Sequence, residues 1–353
     1  EKIIPENSFW LLLSLIWFAY IINYISYKKN TNNTYMTGSF IKFFNKIFKK
    51  LQKIPKLFMK MPMIQKLLIL LIIAFIVSTF AFNKREGFEQ ASEFIVKKGN
   101  DVYDDFYCSI YDDLVYDEIK NDYEVVHLKR TGKIDEKSTV IDIGSGRGHH
   151  VNHYNNKGIQ VQGLDNSPSM VKLAQQEYPN SKFKLGDALD SSNFQYDSAS
   201  HILCLYFTIY SIEDKVKFFK NCYDWLQPGG RLVIHLVNRD KFDPILNSAN
   251  PLTLVNAQKY AKERLTKSIV KFKDFLYKAT YVPDNENDKA YFYETFKDDA
   301  TKNTRKNEHI LYMDSQKDIL TKAKSTGFIM HSKIDMIGCQ YEYQYLYFLQ
   351  KPE

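Results

Sequence analysis

The sequence predicts an α/β fold, a mostly parallel sheet covered by helices, preceded by an α-helical membrane region. Three observations carry that expectation. From about Thr139 onward, short apolar β-branched runs alternate with helical patterns, the signature of a parallel sheet. The first of those runs ends in a cluster of glycines. The amino-terminal quarter is different and consists of long uncharged runs between lysines.

Composition agrees with a folded chain. The 353 residues are 44% hydrophobic and 25% charged, a balance that excludes general disorder. Cys108, Cys204, Cys222 and Cys339 are too few for a disulfide scaffold. None has CxxC spacing, so no metal site is expected. The formal charge of +7 is uneven: residues 1–66 hold 11 Lys against 2 Glu, leaving a slight negative excess on the rest. A nucleic-acid-binding surface built from net charge is therefore not expected.

Phe9–Ile25 is uncharged, carries Trp10, Trp17, Tyr20 and Tyr24, and is closed by Lys28 and Lys29. Leu67–Phe82 is a second uncharged run, between Lys66 and Lys84 with Arg85. Both are near the short limit for a spanning helix. Between them Phe40, Phe44, Ile47, Leu51 and Ile54 recur at helical spacing among lysines, a pattern suited to lying on an anionic bilayer. Residues 1–85 thus read as a membrane-anchor region, with the lipid bilayer as partner. Residues 86–138 read as a helical cap, and residues 139–353 as the α/β domain. The expected location is a membrane, with the domain and the Lys-rich segment both on the cytosolic face. That requires one apolar run to fail to cross.

The elements of the domain follow in order. Thr139–Ile143 is the first strand and Gln160–Leu164 the second. Ser167 is a good N-cap with Pro168 at the first helical position, and Pro179 stops that helix. Lys182–Lys184 and His201–Leu205 are further strands. Ser211 is expected to cap the next helix, whose Val216, Phe219, Tyr223 and Leu226 face the sheet. Pro228-Gly229-Gly230 leads into strand Arg231–Val237. Asp318–Lys324 reads as a helix ended by Gly327, with Phe328–Met330 and Tyr345–Leu349 as final strands. Residues 240–313 form an insertion, with a helix at Leu252–Lys271 and strands at Phe275–Val282, Ala290–Phe296 and His309–Met313.

The chemistry sits in the first turn. In Val140–Gly148 (VIDIGSGRG) the strand gives way to Gly144, Ser145 and Gly146 before a helix. Glycines let a ligand approach the backbone, and the helix amino terminus offers unpaired N–H groups. His149 stands where a dinucleotide fold has its third glycine. Asp142 precedes the turn and suits a cationic amine, so a ligand with an amino acid moiety is favoured over nicotinamide. Asp165, about 20 residues beyond the turn, can accept both hydroxyls of a ribose. Asp187 can accept from an exocyclic adenine amine, and Ala188 supplies a backbone N–H. Each motif alone is as readily a plain turn or cap.

The ordered series VIDIGSGRG, QVQGLDNS, KFKLGDALD and LQPGGRLVIHL resembles the class I S-adenosylmethionine-dependent methyltransferases over roughly residues 135–240. The tail from Asp314 is similar to the family's last helix and two strands. The resemblance implies a Rossmann-like seven-stranded sheet whose last strand is antiparallel, with S-adenosyl-L-methionine as cofactor. It implies Gly144, Ser145 and Gly146 at the methionine portion, Asp165 on the ribose, and Asp187 with Ala188 on the adenine. Asn166 and Met170 would flank the adenosine, and Cys204 and Leu205 would meet the methionine backbone. Tyr107 and Tyr111, in DDFYCSIYDDLV, stand where the family's leading helix covers the cofactor. The insertion resembles the lids of members that act on small molecules.

Methyl transfer is in-line displacement, and a general base is optional. The catalytic candidates are Tyr206, Tyr210 and His309, with Thr208, Glu294 and Tyr312 as further pocket residues. Each has a bland reading as packing or a satisfied structural group. There is no Asn-Pro-Pro-Tyr tetrapeptide, which disfavours amino-methylating DNA or glutamine enzymes. A membrane anchor would point to a lipid, a membrane-attached protein or a hydrophobic small molecule as methyl acceptor. The alternatives are a membrane-bound scaffold that has lost catalysis and a polyamine-synthase-like enzyme. Intact glycines with Asp165 argue against the first, and Asp142 argues against the second.

Overall fold

The computed structural model describes residues 62–63, 94–245 and 263–353. The chain divides into two compact units, Glu1–Lys84 and Arg85–Glu353. Nearly all described residues belong to the second. Its strands are β1 (Phe94–Lys98), β2 (Thr139–Ile143), β3 (Gln160–Asp165), β4 (Lys182–Leu185), β5 (Ala199–Cys204), β6 (Leu226–Val237), β7 (Lys267–Lys271), β8 (Phe275–Asp284), β9 (Lys289–Asp298), β10 (Thr304–Tyr312), β11 (Ile329–Asp335) and β12 (Gln344–Gln350). Its helices are α1 (Asp105–Val115), α2 (Glu118–Arg130), α3 (His149–Asn155), α4 (Pro168–Glu177), α5 (Thr208–Ser211), α6 (Lys215–Trp225) and α7 (Gln316–Ser325).

Seven strands form the main sheet in the order β11-β12-β6-β5-β2-β3-β4. The pairs β2–β3, β2–β5, β3–β4 and β5–β6 are parallel, and β12 is antiparallel to both its neighbours. Helices cover both faces, which is why Val140, Ile141, Asp142 and Ile143 are buried in succession without alternation. One face packs Ile202, Cys204, Leu232 and Ile234 against Phe218, Phe219 and Trp225 of α6. The other packs Val140, Leu203, Val233 and Phe348 with Leu128 of α2 and Val151 of α3.

The helix starts are set by short polar side chains. Asp104, Asp117, Ser167, Asp214 and Ser315 each accept a backbone N–H from the first turn of α1, α2, α4, α6 and α7. The expected cap at Ser211 is corrected, since Ser211 ends α5 and Asp214 caps α6. The strand expected to begin at Arg231 runs from Leu226.

Residues inserted between β6 and α7 supply four strands of a second, five-stranded sheet, β1-β10-β9-β8-β7, and β1 supplies the fifth. The expected helical cap therefore opens with a strand, β1, laid parallel to β10 from Phe94↔Thr304. Of the expected helix Leu252–Lys271, Lys267–Lys271 is instead β7, paired to β8. Alternating exposure along Lys-Ser-Ile-Val-Lys fits a half-covered strand. The remainder of that stretch, up to residue 262, lies outside the described residues. Arg305 of β10 ties the second sheet to α1. Its guanidinium donates to both carboxylate oxygens of Asp104 at 2.8 and 2.9 Å, to the Val102 carbonyl at 2.9 Å and to Asn307 Oδ1 at 2.8 Å.

The expected membrane location is corrected. Among the described residues no helix is long and apolar enough to cross a membrane. The longest described helix, α2, has 13 residues and carries charge throughout, and at 1.5 Å per residue it spans about 20 Å against the ~30 Å of a bilayer core. The runs Phe9–Ile25 and Leu67–Phe82 and the basic stretch between them lie outside the described residues. The anchor and the cytosolic-face placement find no support and are set aside.

Candidate active site

β2 ends at Ile143, and the chain reaches α3 through Gly144, Gly146 and Gly148, at φ 67°, 52° and 86°. Gly144 is fixed by space as well as by conformation: a Cβ there would lie 2.5 Å from Thr208 Cγ2. The Gly144 and Ser145 amides both donate to the Leu164 carbonyl, at 2.7 and 3.2 Å, pinning the turn to β3. Asp165, the last residue of β3, locks it further. Its Oδ2 accepts from the Gly146 amide and its Oδ1 from the Ser167 amide, each at 2.9 Å. Burial pushes the Asp165 carboxyl above its ordinary range, and these amides oppose that shift. Each carboxylate oxygen still has a lone pair for a ligand hydroxyl.

This turn is the floor of a cavity of about 380 Å³, lined by Tyr111, Asp142, Gly144, Ser145, Gly146, Asp165, Asn166, Met170, Asp187, Ala188 and Leu205. That volume suits a cofactor-sized ligand. Asp142 lies under the turn and is almost wholly buried. Burial pushes its carboxyl up to about 7, with Glu124 and Asp165 acting in the same direction and His150 opposing. Asn121, on α2, lines the same cavity, and its buried Oδ1 has no hydrogen-bond partner among the described residues. A carboxylate and an orphaned amide oxygen together suit an ammonium group.

Two of the expected cofactor contacts lie elsewhere. Cys204 is fully buried within the core beneath α6, because alternation along β5 turns it away from the cavity. Tyr107 lies one helical turn before Tyr111 and lines an adjoining chamber instead. Asp187 reaches the cavity, yet its Oδ1 also accepts from the Leu189 amide at 2.9 Å, as a turn aspartate does.

Tyr103, Asn121, His150 and Thr208 also line the cavity and were not singled out as cofactor contacts from sequence. Tyr103 was the most accessible to reasoning, because it continues the one-turn spacing of Tyr107 and Tyr111. The three rings touch, with centroids 5.6, 5.9 and 6.3 Å apart. Asn121 and His150 sit in no motif, and only the packing of α2 and α3 brings them in. α1 is drawn over the turn by Arg147, which donates to the Cys108 carbonyl at 3.1 Å, and by His149, whose Nε2 is 2.9 Å from Asp112 Oδ2.

The adjoining chamber, of about 150 Å³, shares Tyr103, Tyr111, Tyr206, Phe207 and Leu311 with the cavity. Tyr107, Phe242, Tyr281, Phe292 and His309 complete most of its wall. Tyr206 has φ 51°, a strained value for a non-glycine residue. It is held there by a hydrogen bond to its carbonyl from His235 Nδ1 at 2.7 Å and by Lys120 Nζ, 3.2 Å from its ring centroid. Burial pushes its hydroxyl well above the ordinary range, so it stays protonated at neutral pH and is not itself a base.

Lys120 in turn donates to Glu124 at 2.5 Å. Burial opposes charge on Glu124, but Lys120 and His150 outweigh it and hold the carboxyl at about 2. Tyr210 is fully buried and lines neither space, and its hydroxyl accepts from the Val237 amide at 2.8 Å, which is a packing role. Tyr312 lines the cavity and donates to Glu213 at 3.1 Å. Glu294 lies behind the chamber wall, fully buried, 2.8 Å from His309 Nε2.

Residues 141–234 match the family model described as a methyltransferase domain, whose cofactor is S-adenosylmethionine. The chain is 33% identical over 114 residues to a phosphoethanolamine N-methyltransferase of Plasmodium falciparum, covering 29% of this chain and 40% of that protein. It is 30% identical over 116 residues to a demethylmenaquinone methyltransferase of Chlorobaculum parvum, covering 32% of this chain and 47% of that protein. The chain thus spans less than half the length of these curated relatives. Among solved structures, the CcbJ methyltransferase from Streptomyces caelestis superposes with a TM-score of 0.52 at 13% identity, over 70% of this chain and 96% of that one. That likeness concerns the fold.

Proposed function

We propose that the chain transfers a methyl group from S-adenosylmethionine to a small acceptor held in the aromatic chamber. One observation carries the reading: Asp165 is bonded to the Gly146 and Ser167 amides on the rim of a cavity that also gathers Asp142, Asn166, Met170, Asp187 and Ala188. The match over residues 141–234 supports it. In this reading Asp165 holds the ribose, Asp142 and Asn121 hold the ammonium end, and Asn166 and Met170 flank the adenosine. When bound, S-adenosylmethionine supplies an electrophilic methyl group.

The chain itself contributes position and exclusion of water. Tyr103 and Tyr111 border both spaces, so an acceptor in the chamber faces the cofactor cavity across aromatic walls. Ordering both reactants in a dry site supplies much of the rate enhancement of such a transfer. The two curated relatives named above carry names with unlike acceptors, so the acceptor class is better read from the chamber than borrowed.

Calorimetric titration tests the reading. Micromolar binding of S-adenosylmethionine and of its demethylated product is expected, with none of NAD. Binding of NAD and of neither sulfur compound would refute it.

A further inference from the structure

The chamber contains a proton acceptor that no motif announces. His309 of β10 lines it, and Nε2 of the ring is 2.8 Å from Glu294 Oε2. Glu294 sits on β9 and is fully buried. It also receives the Tyr277 hydroxyl at 2.7 Å and the Asn307 amide at 3.2 Å. Burial alone would raise its carboxyl, but these three donors, His309 first, hold it below its ordinary value. An ionised carboxylate accepts the Nε2–H, which leaves the lone pair on Nδ1. Among the described residues Nδ1 has no hydrogen-bond partner.

The titratable groups in ring contact with His309 are phenols. Tyr103 and Tyr107 have ring centroids 5.9 and 5.8 Å from it. Burial pushes both hydroxyls far above neutrality, as it does those of Tyr111 and Tyr277. Lys120 and His235 also line the chamber. Lys120 is committed to Glu124, and burial lowers the His235 imidazole to about 4. Asp243 lines the chamber too and has a partner of its own. His309 thus offers the chamber a ring nitrogen whose lone pair no described neighbour holds.

We infer that His309, positioned by Glu294, is the general base that takes the proton from a single-ring acceptor bearing a hydroxyl or amino group. This rests on the methyl-transfer reading above. The chamber, of about 150 Å³ and open to the larger cavity, has room for one benzene-sized ring. Rings of Tyr103, Tyr107, Phe292 and Tyr281 offer edge and face contacts to it. The balance is simple. The acceptor O–H or N–H bond breaks, its proton goes to Nδ1, and the freed electron pair forms the bond to the methyl carbon. The sulfur keeps the electrons of the bond it loses, and the imidazolium returns the proton to water.

The test uses 4-nitrophenol, whose phenolate absorbs in the visible, with the full chain loaded with S-adenosylhomocysteine. Absorbance is read about one pH unit below the midpoint of the free probe. The wild type is expected to bind the probe and display the phenolate band. His309→Gln should still bind S-adenosylhomocysteine but lose the band. Glu294→Gln keeps the shape of the pair, and about a tenfold smaller phenolate fraction is expected. In turnover of any phenol the chain methylates, its acid limb should move along the pH axis, which a purely structural glutamate would not cause.

A band that persists in His309→Gln overturns the inference. So does a wild type that binds S-adenosylhomocysteine but not the probe. Failure to bind S-adenosylhomocysteine at all would instead refute the methyl-transfer reading, so the two failures are separable.

Discussion

Asp142 makes cofactor affinity a function of pH in a window that can be stated in advance. Burial moves its carboxyl from 3.8 to about 7 in the folded chain. If Asp142 meets a ligand ammonium, binding selects the ionised form. Affinity should then be flat above about pH 8 and fall roughly tenfold per unit below pH 7, at 1.36 kcal/mol per unit. Below pH 7, binding should release close to one proton. Isothermal titration in two buffers of different ionisation enthalpy measures both quantities. Asp142→Asn should abolish the pH dependence and bind at all pH values about as weakly as the protonated wild type. The same carboxyl affects stability. A folded-state pKa above the unfolded one means the native state binds the extra proton between about pH 4 and pH 7. Stability therefore falls as pH rises through that window, by roughly 4 kcal/mol for a shift of this size. Asp142→Asn should be the more stable protein at pH 8 by that order. An affinity that is flat from pH 5.5 to 8.5 in wild type, with one-proton linkage absent, would refute the assignment of Asp142 to the ammonium.

Three further outcomes are expected. Asp165→Ala removes two charge-assisted backbone hydrogen bonds, each worth about 1.5–3 kcal/mol. Cofactor affinity should drop at least tenfold, and thermal melts should show a lower midpoint because the turn itself is loosened. Gly144→Ala meets Thr208 at 2.5 Å, whereas Gly146→Ala meets nothing within 4 Å. Both strain a positive φ, so calorimetry should find the first variant much the weaker binder, with partial recovery in Gly144→Ala/Thr208→Gly. Arg305→Met removes both guanidinium hydrogen bonds to Asp104 and the one to the Val102 carbonyl. A loss of about 3 kcal/mol in urea titration is expected, toward the low end for a buried pair because Asp104 is partly exposed.

Local rules wrote most of the main sheet into the chain. The β-branched run Thr139–Ile143, the Ser167-Pro168 start of α4 and the Ser315 region of α7 fold as their residues dictate, because caps and buried strand runs act over a few positions. The glycine turn and Asp165 were legible for the same reason: one strand end and the next lie side by side in any parallel pair, so spacing alone brings the carboxylate to the Gly146 amide. Tertiary structure decided the rest. Cys204 and Leu205 are adjacent in sequence, and only the pleat of β5 sends one to the core and the other to the cavity. Lys267–Lys271 could have continued a helix, and pairing with β8 made it a strand. His309 and Glu294 are 15 residues apart. No local pattern links them, and their meeting depends on the antiparallel register that sets Glu294 opposite Asn307 and Phe292 opposite His309. A one-residue slip of β10 would turn His309 to the other face from Glu294, so the pair could be seen only once β9 and β10 were folded together.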